Sequence, residues 1–217
     1  QSSLSKKEQV AGMFDDIAFK YDFLNRFLSA GIDVKWRKKA IKQLSALAPK
    51  KILDVATGTA DVAIMASGIL KPEKIVGIDI SDGMLEVGRK KIEKAGLQHI
   101  IELLNGDSET INFEDGSFDA VTVAFGVRNF QHLEKGLSEI YRVLKPGGKL
   151  VVLEFSKPKM PGVKWMYNLY MKIVCPNVGK LFSKNRNAYK YLDESIQKFP
   201  EGNNFTNILD NLGYKNS

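Results

Sequence analysis

A chain of 217 residues with 44% apolar content can fill the core of one globular domain. Its only thiol, Cys175, excludes an intrachain disulfide and suits a reducing compartment. No apolar run reaches the ~18 residues of a membrane span, and the polar start lacks the apolar centre of a signal peptide. The expectation is therefore a cytoplasmic protein, whose formal charge of +7 suits an anionic partner or is mere mild basicity.

The first predicted element is a helix over Lys6–Leu28, with Val10, Phe14, Ile17, Tyr21, Leu24 and Leu28 at helical spacing. Gly31-Ile32-Asp33 breaks it, and Val34–Leu47 forms a second helix before Pro49. Both precede the first core strand, so they are expected to cap a ligand site rather than build the sheet. Next, K-I-L-D-V at Lys51–Val55 reads as a buried strand. It runs into a loop of small residues, Ala56 to Ala60, and a helix opens at Asp61 and runs to Leu70. A second strand over Lys74–Ile80 carries Asp79 near its end, and Ser81 or Asp82 caps a helix reaching Ala95. A third strand, Ile100–Leu104, delivers Asn105-Gly106-Asp107-Ser108 to its mouth. A fourth spans Phe118–Phe125. A helix over Leu133–Leu144 then passes through the turn Lys145-Pro146-Gly147-Gly148 into strand Lys149–Phe155. Alternating strands and helices predict one α/β sandwich.

Beyond Pro158 the texture is aromatic and basic together, from Met160 to Lys190, with helices broken at Pro176 and Gly179 and another over Ala188–Phe199. This segment is either a helical cover packed on the core or a greasy lid bordered by cations, suited to membrane headgroups. A helix over Phe205–Leu212 leaves too few residues for a closing β-hairpin. The expected organisation is a single unit over 1–217, with a helical cap at 1–48, a ligand-binding core at 49–158 and a lid at 159–200.

A small-residue loop after one strand and a carboxylate at the end of the next hold an adenosine-containing ligand at the carboxyl edge of a parallel sheet. The loop lacks G-x-G-x-x-G, having only Gly58 between Ala56 and Ala60, and there is no Walker-type lysine. Asp54 and Asp61 flank it. Negative charge there opposes phosphate but tolerates the amino group and sulfonium of S-adenosylmethionine. Asp107 and Ser108 are placed to meet an adenine. Arg128 and Asn129 follow the fourth strand, where a substrate would sit. Arg128 stabilises developing negative charge there or braces its loop through a salt bridge, and Asn129 orients a hydroxyl. Tyr21 and Asp22 cover substrate or cofactor, or Tyr21 packs within its helix. Glu154 is structural or faces substrate. His99 and His132 lack the partner spacing of a metal site.

L-K-P-G-G-K-L-V-V-L-E-F at Leu144–Phe155 resembles the post-loop signature of class I S-adenosylmethionine-dependent methyltransferases, a Rossmann-like fold. Nearly end to end, the chain resembles the ubiquinone/menaquinone biosynthesis C-methyltransferases. The likeness rests on V-A-G-M-F-D-D-I-A-F-K-Y-D-F-L-N at Val10–Asn25, W-R-K-K at Trp36–Lys39, and L-D-V-A-T-G-T-A-D at Leu53–Asp61. It continues through G-I-D-I-S-D-G-M-L at Gly77–Leu85, F-G-V-R-N at Phe125–Asn129 and L-E-F-S-K-P at Leu153–Pro158.

The resemblance implies methyl transfer to a ring carbon of a polyprenylated quinol, demethylmenaquinol before a benzoquinol. It also implies cofactor contacts at Thr59, Asp79, Asp107 and Ser108, beside Asp54 and Gly58 of the loop. Such a family closes its sheet with two further strands, which are missing from this sequence. A peripheral contact with an anionic membrane fits the charge, and a homodimer is one option for its assembly. Two rivals stand beside this reading. A nucleic-acid methyltransferase suits the basic charge, although the segment after the fourth strand is A-F-G-V-R-N rather than N-P-P-Y. A scaffold that binds the cofactor without turnover is the other.

Overall fold

The computed structural model describes residues 5–29, 31–156, 191 and 194–217. The aromatic and basic lid over 159–200 lies largely outside them, as does Cys175.

Five strands form one parallel sheet in the order β3-β2-β1-β4-β5, where β1 is Lys51–Val55, β2 Lys74–Asp79, β3 Ile101–Asn105, β4 Phe118–Ala124 and β5 Leu144–Leu153. β1 is central because both its faces are covered. Ile52, Leu53 and Val55 are essentially sealed from solvent, each burial contributing about 1.5–3 kcal/mol. Its register pairs Asp54 with Gly77 on one side and with Thr122 on the other. The chain winds outward from β1 to β3 and then returns across it to β4. The carboxyl ends of β1 and β4 therefore diverge, opening a crevice at the reversal of strand order.

The helices carry the sheet's two apolar cores. One core joins Leu53, Val76, Phe118 and Val121 to α5 (Leu133–Val143) through Leu137 and Ile140. The other joins Ile52, Ile75 and Ala120 to α2 (Ile32–Lys42), α3 (Asp61–Leu70) and α4 (Asp82–Lys94) through Ile41, Ala63 and Leu85. α1 (Lys6–Leu28) has the expected bounds, and Gly31 at φ 75° turns the chain into α2. The second helix departs from its expected span. It ends at Lys42, and Ser45–Leu47 tightens into a 3₁₀ turn that brings Leu44 into the core.

The fifth strand also differs from expectation. Leu144 pairs with Phe118 and Lys149 with Ala120, so Lys145-Pro146-Gly147-Gly148 bulges out of a strand already begun instead of separating helix from strand. Proline supplies no ladder donor, and Gly147 sits at φ 79°. A last helix, α6 (Asn203–Asn211), places Leu209 on the first core, and Tyr214 behind it donates to the Leu137 carbonyl at 2.8 Å.

Ser81, not Asp82, caps α4. Its hydroxyl accepts from the Met84 amide at 3.1 Å and donates to Asp15 of α1 at 2.6 Å; Asp15 also accepts from the Gly83 amide at 2.9 Å. One hydroxyl thus starts a helix and pins α1 to it. Ser81→Ala is expected to lower unfolding stability by about 1–2 kcal/mol, with Ser81→Thr recovering most of the loss. Urea unfolding followed by circular dichroism checks this.

Candidate active site

The crevice between the ends of β1 and β4 is an open cleft. Gly58, Asp79, Asp107, Ser108, Tyr21 and Asn129 line it together. They arrive from five places: the loop after β1, the end of β2, the mouth of β3, the turn after β4, and α1 lying across the top.

The loop after β1 owes its shape to three left-handed residues, Ala56 (φ 53°), Gly58 (φ 56°) and Ala60 (φ 64°). For the alanines that conformation costs about 1–2 kcal/mol each, so the surroundings must hold it. Asp54 does much of this. Sealed at 1% exposure, it accepts from the Thr57 hydroxyl at 2.6 Å and from the Thr122 hydroxyl of β4 at 2.6 Å. Burial is the main cause that pushes its carboxyl up to about 6, against the two hydrogen bonds that pull it down. Asp54 therefore stands behind the cleft rather than in it.

Asp79 is oriented from the other side. One carboxylate oxygen accepts from the Gly58 amide at 2.8 Å and the other from the Ser81 amide at 2.9 Å. The carboxylate lines the cleft, where its oxygens can accept from a vicinal diol. Burial raises its pKa while these amides oppose the rise. No side chain crowds Gly58, where a Cβ would meet nothing within 4 Å, so a ligand can approach the backbone. Val10, Phe14, Ile80 and Met84 add an apolar wall near Asp107 and Ser108. Lys7 of α1 reaches Asp107 at 2.6 Å and Glu109 at 2.9 Å; Glu109 is 1% exposed and also accepts from the His132 amide at 2.8 Å.

After β4 the chain turns at Phe125, held at φ 59° although it is aromatic. Its amide donates to the Leu153 carbonyl at 2.7 Å. Gly126 lies against the first loop: a Cβ there would be 2.5 Å from the Cβ of Ala56. Asn129 faces the cleft and accepts from the Tyr191 hydroxyl at 3.2 Å.

Besides Asp54, three residues expected in the site lie outside the cleft lining. Thr59 is buried and donates to Asp22 at 2.6 Å, and Lys91 of α4 holds Asp22 at 2.7 Å and also Asp61. Arg37, buried in α2, bridges Asp33 at 2.8 Å and Asp61 at 3.1 Å. Thr59 and Asp22 thus belong to an ion network that fastens α1 and α2 to the loop beneath. Arg128 pairs with Glu154 at 2.7 Å, both side chains nearly sealed, and donates to the Phe125 carbonyl. It braces the turn from outside the cleft, and its Nε has no partner among the described residues. Tyr21 does line the cleft, and its phenol is pushed up by burial.

Sequence reasoning missed Lys7, Glu109 and Phe125. Lys7 sits in an ordinary basic helix start, and nothing local signals a contact a hundred residues away. Phe125 belongs to the F-G-V-R-N motif, but nothing in the motif signals that its ring lines the cleft.

An open parallel sheet, a glycine-opened loop and a carboxylate poised for a diol at the point of strand reversal define a class I S-adenosylmethionine-dependent methyltransferase. A SAM-dependent methyltransferase from Thermotoga maritima has the same fold, with a TM-score of 0.63 at 20% identity over 94% of this chain and 81% of that one. The ubiE/COQ5 methyltransferase family matches residues 2–217, and the chain belongs to it. Among its relatives, the demethylmenaquinone methyltransferase of Bacteroides fragilis is 51% identical over 209 residues, 96% of this chain and 85% of the relative. The ubiquinone/menaquinone biosynthesis C-methyltransferase UbiE of Geotalea daltonii is 45% identical over 213 residues, 98% and 90% of the two chains.

Asp54 makes stability pH-dependent in a defined direction. Its folded pKa of about 6 lies above the ordinary 3.8, so the native state keeps a proton that the unfolded chain releases. That contribution is present at low pH and is lost as pH rises through 6. Asp54→Asn, which does not titrate, is expected to gain about 2–3 kcal/mol relative to wild type between pH 4 and pH 7. Urea midpoints at both pH values measure it.

Proposed function

We propose that this enzyme transfers the methyl of S-adenosylmethionine to a ring carbon of a polyprenylated quinol, with demethylmenaquinol as the preferred acceptor. The observation that carries this reading is the 51% identity, over 96% of the chain, to a demethylmenaquinone methyltransferase. The F-G-V-R-N turn at the cleft edge is consistent with it.

The residues present fit the cofactor, which when bound supplies an electrophilic methyl on a sulfonium. Asp79 takes the ribose hydroxyls. Asp107 and Ser108 meet the adenine, and the open backbone at Gly58 admits the amino-acid end. Thr59 and Asp54 act one step back, by holding that loop in its left-handed form. Only acidic and neutral groups come from the loop and β2, which suits a cationic sulfur better than a phosphate.

On the acceptor side, an aromatic carbon becomes nucleophilic once a neighbouring hydroxyl loses its proton. Asn129 orients that hydroxyl. Arg128 keeps the turn in place, and its charge, largely answered by Glu154, lends a positive bias behind the ring. An arginine stays protonated, so it is not the base. Holding donor and acceptor in line is the larger contribution, up to about 7–11 kcal/mol in favourable systems. Among the described residues no helix is long and apolar enough to cross a membrane. The acceptor's lipid tail accordingly brings the enzyme to a membrane face, with binding to anionic vesicles that weakens with salt.

Asp79→Ala is expected to weaken S-adenosylmethionine binding about a hundredfold, because two hydrogen bonds to a charged group are lost. The cofactor-induced rise in melting temperature should vanish with it. Arg128→Ala is expected to leave that rise intact and lower turnover. Calorimetry with the cofactor, and labelled methyl transfer to naphthoquinol and benzoquinol acceptors, test both the roles and the acceptor preference.

A further inference from the structure

One function of the W-R-K-K segment in the middle of α2 is to supply the ion-paired Arg37. Its tryptophan has another. The ring of Phe125, in the cleft wall, stacks on Phe155 with centroids 4.6 Å apart and planes inclined by 28°. Phe155 in turn meets Trp36 edge to face at 6.4 Å and 83°. Phe125 is 8% exposed whereas Trp36 is 41% exposed, and Ile32, one turn earlier on the same face of α2, is 45% exposed. Two ring-to-ring steps therefore lead from the cleft to an apolar strip on the surface.

The two guanidinium groups beside the strip are both paired. Arg37 lies 5.7 Å from the Phe125 centroid but is paired with Asp33 and Asp61. Arg128 lies 5.5 Å from the Phe155 centroid but is paired with Glu154. Both guanidinium groups are thus answered by carboxylates, and the strip itself offers a hydrocarbon aromatic faces and edges. Core packing alone leaves two features unexplained. A tryptophan and an isoleucine end the series in solvent, and an aromatic residue is kept at positive φ so that its ring faces both the cleft and Phe155.

We propose that Phe125, Phe155, Trp36 and Ile32 form the track along which the first isoprene units of the acceptor's tail lie as it leaves the cleft. This rests on the quinol reading above and adds which residues read the tail. Phe125 and Phe155 seat the unit nearest the ring; Trp36 and Ile32 seat the next. The branched, unsaturated chain packs flat against such faces, and the polar ring is thereby held with its reacting carbon inward.

The test uses the wild-type enzyme, Trp36→Ala, Trp36→Phe and Ile32→Ser with S-adenosylmethionine and demethylated naphthoquinols bearing no, one, two or three isoprene units. It is run without detergent or vesicles, so that membrane attachment plays no part. In the wild type, kcat/KM should rise about tenfold or more over the first two units. Trp36→Ala and Ile32→Ser should flatten the rise at the second unit through KM, with Trp36→Phe restoring most of it. Activity on the acceptor without a tail and the cofactor-induced melting shift should stay at wild-type levels, which reports an intact fold. A flat chain-length profile in the wild type overturns the track, and so does a wild-type profile kept by both Trp36→Ala and Ile32→Ser. A wild-type enzyme that methylates none of the naphthoquinols, while still binding the cofactor, overturns the functional reading itself.

Discussion

A single buried carboxylate organises the catalytic end of this sheet. Asp54 closes the central strand and is gripped by one hydroxyl from the loop that follows it and one from the neighbouring strand β4. Strand order reverses between these two strands, so nothing in the backbone ladder beyond their ends keeps them in register. A charged or half-protonated group in an apolar setting is costly to place, and here two short hydrogen bonds offset part of that cost. The return is a loop with three left-handed residues, from which the Gly58 amide reaches Asp79. Without that anchor the acid would have no fixed direction, and the diol site would exist in composition but not in geometry.

The second organising element is the pair of N-terminal helices. They contribute no strand, yet Lys7, Asp15, Tyr21, Asp22 and Arg37 each reach a part of the sheet's carboxyl edge. Most of these contacts are ionic and only partly buried, a regime in which each pair stabilises modestly. Their value lies in direction. α1 contributes Tyr21 to the cleft lining while α2 carries the exposed Trp36, so the cleft's cover and the aromatic strip belong to neighbouring parts of one helical segment.

The fold was largely legible in the amino-acid string because its strands are short apolar runs between turn residues and its helices have clear apolar faces. Lys6–Leu28 and Asp61–Leu70 have their expected bounds, and the first four strands lie within one residue of expectation. The misplacements have physical causes. The second helix is shorter than its pattern predicts because Leu44 and Leu47 keep helical spacing through a turn that has already tightened. The fifth strand was started too late because proline and paired glycines read as a terminator, whereas here they form a bulge. In the site, Asp79, Asp107, Ser108, Gly58, Tyr21 and Asn129 converge on one cleft, since position at a strand end is a local property. Thr59, Asp22, Asp54 and Arg128 do not line it. Whether a polar side chain faces a ligand or a neighbouring charge depends on partners far away in the chain, such as Lys91 for Asp22 and Glu154 for Arg128.

Gly126 rests against Ala56 with no room for even one more carbon between them. Two close-packed surfaces of that kind transmit displacement rather than absorb it. The loop after β1 and the turn after β4 are thus mechanically continuous: neither can move toward the other, and a side chain larger than hydrogen at position 126 would push the two ledges apart.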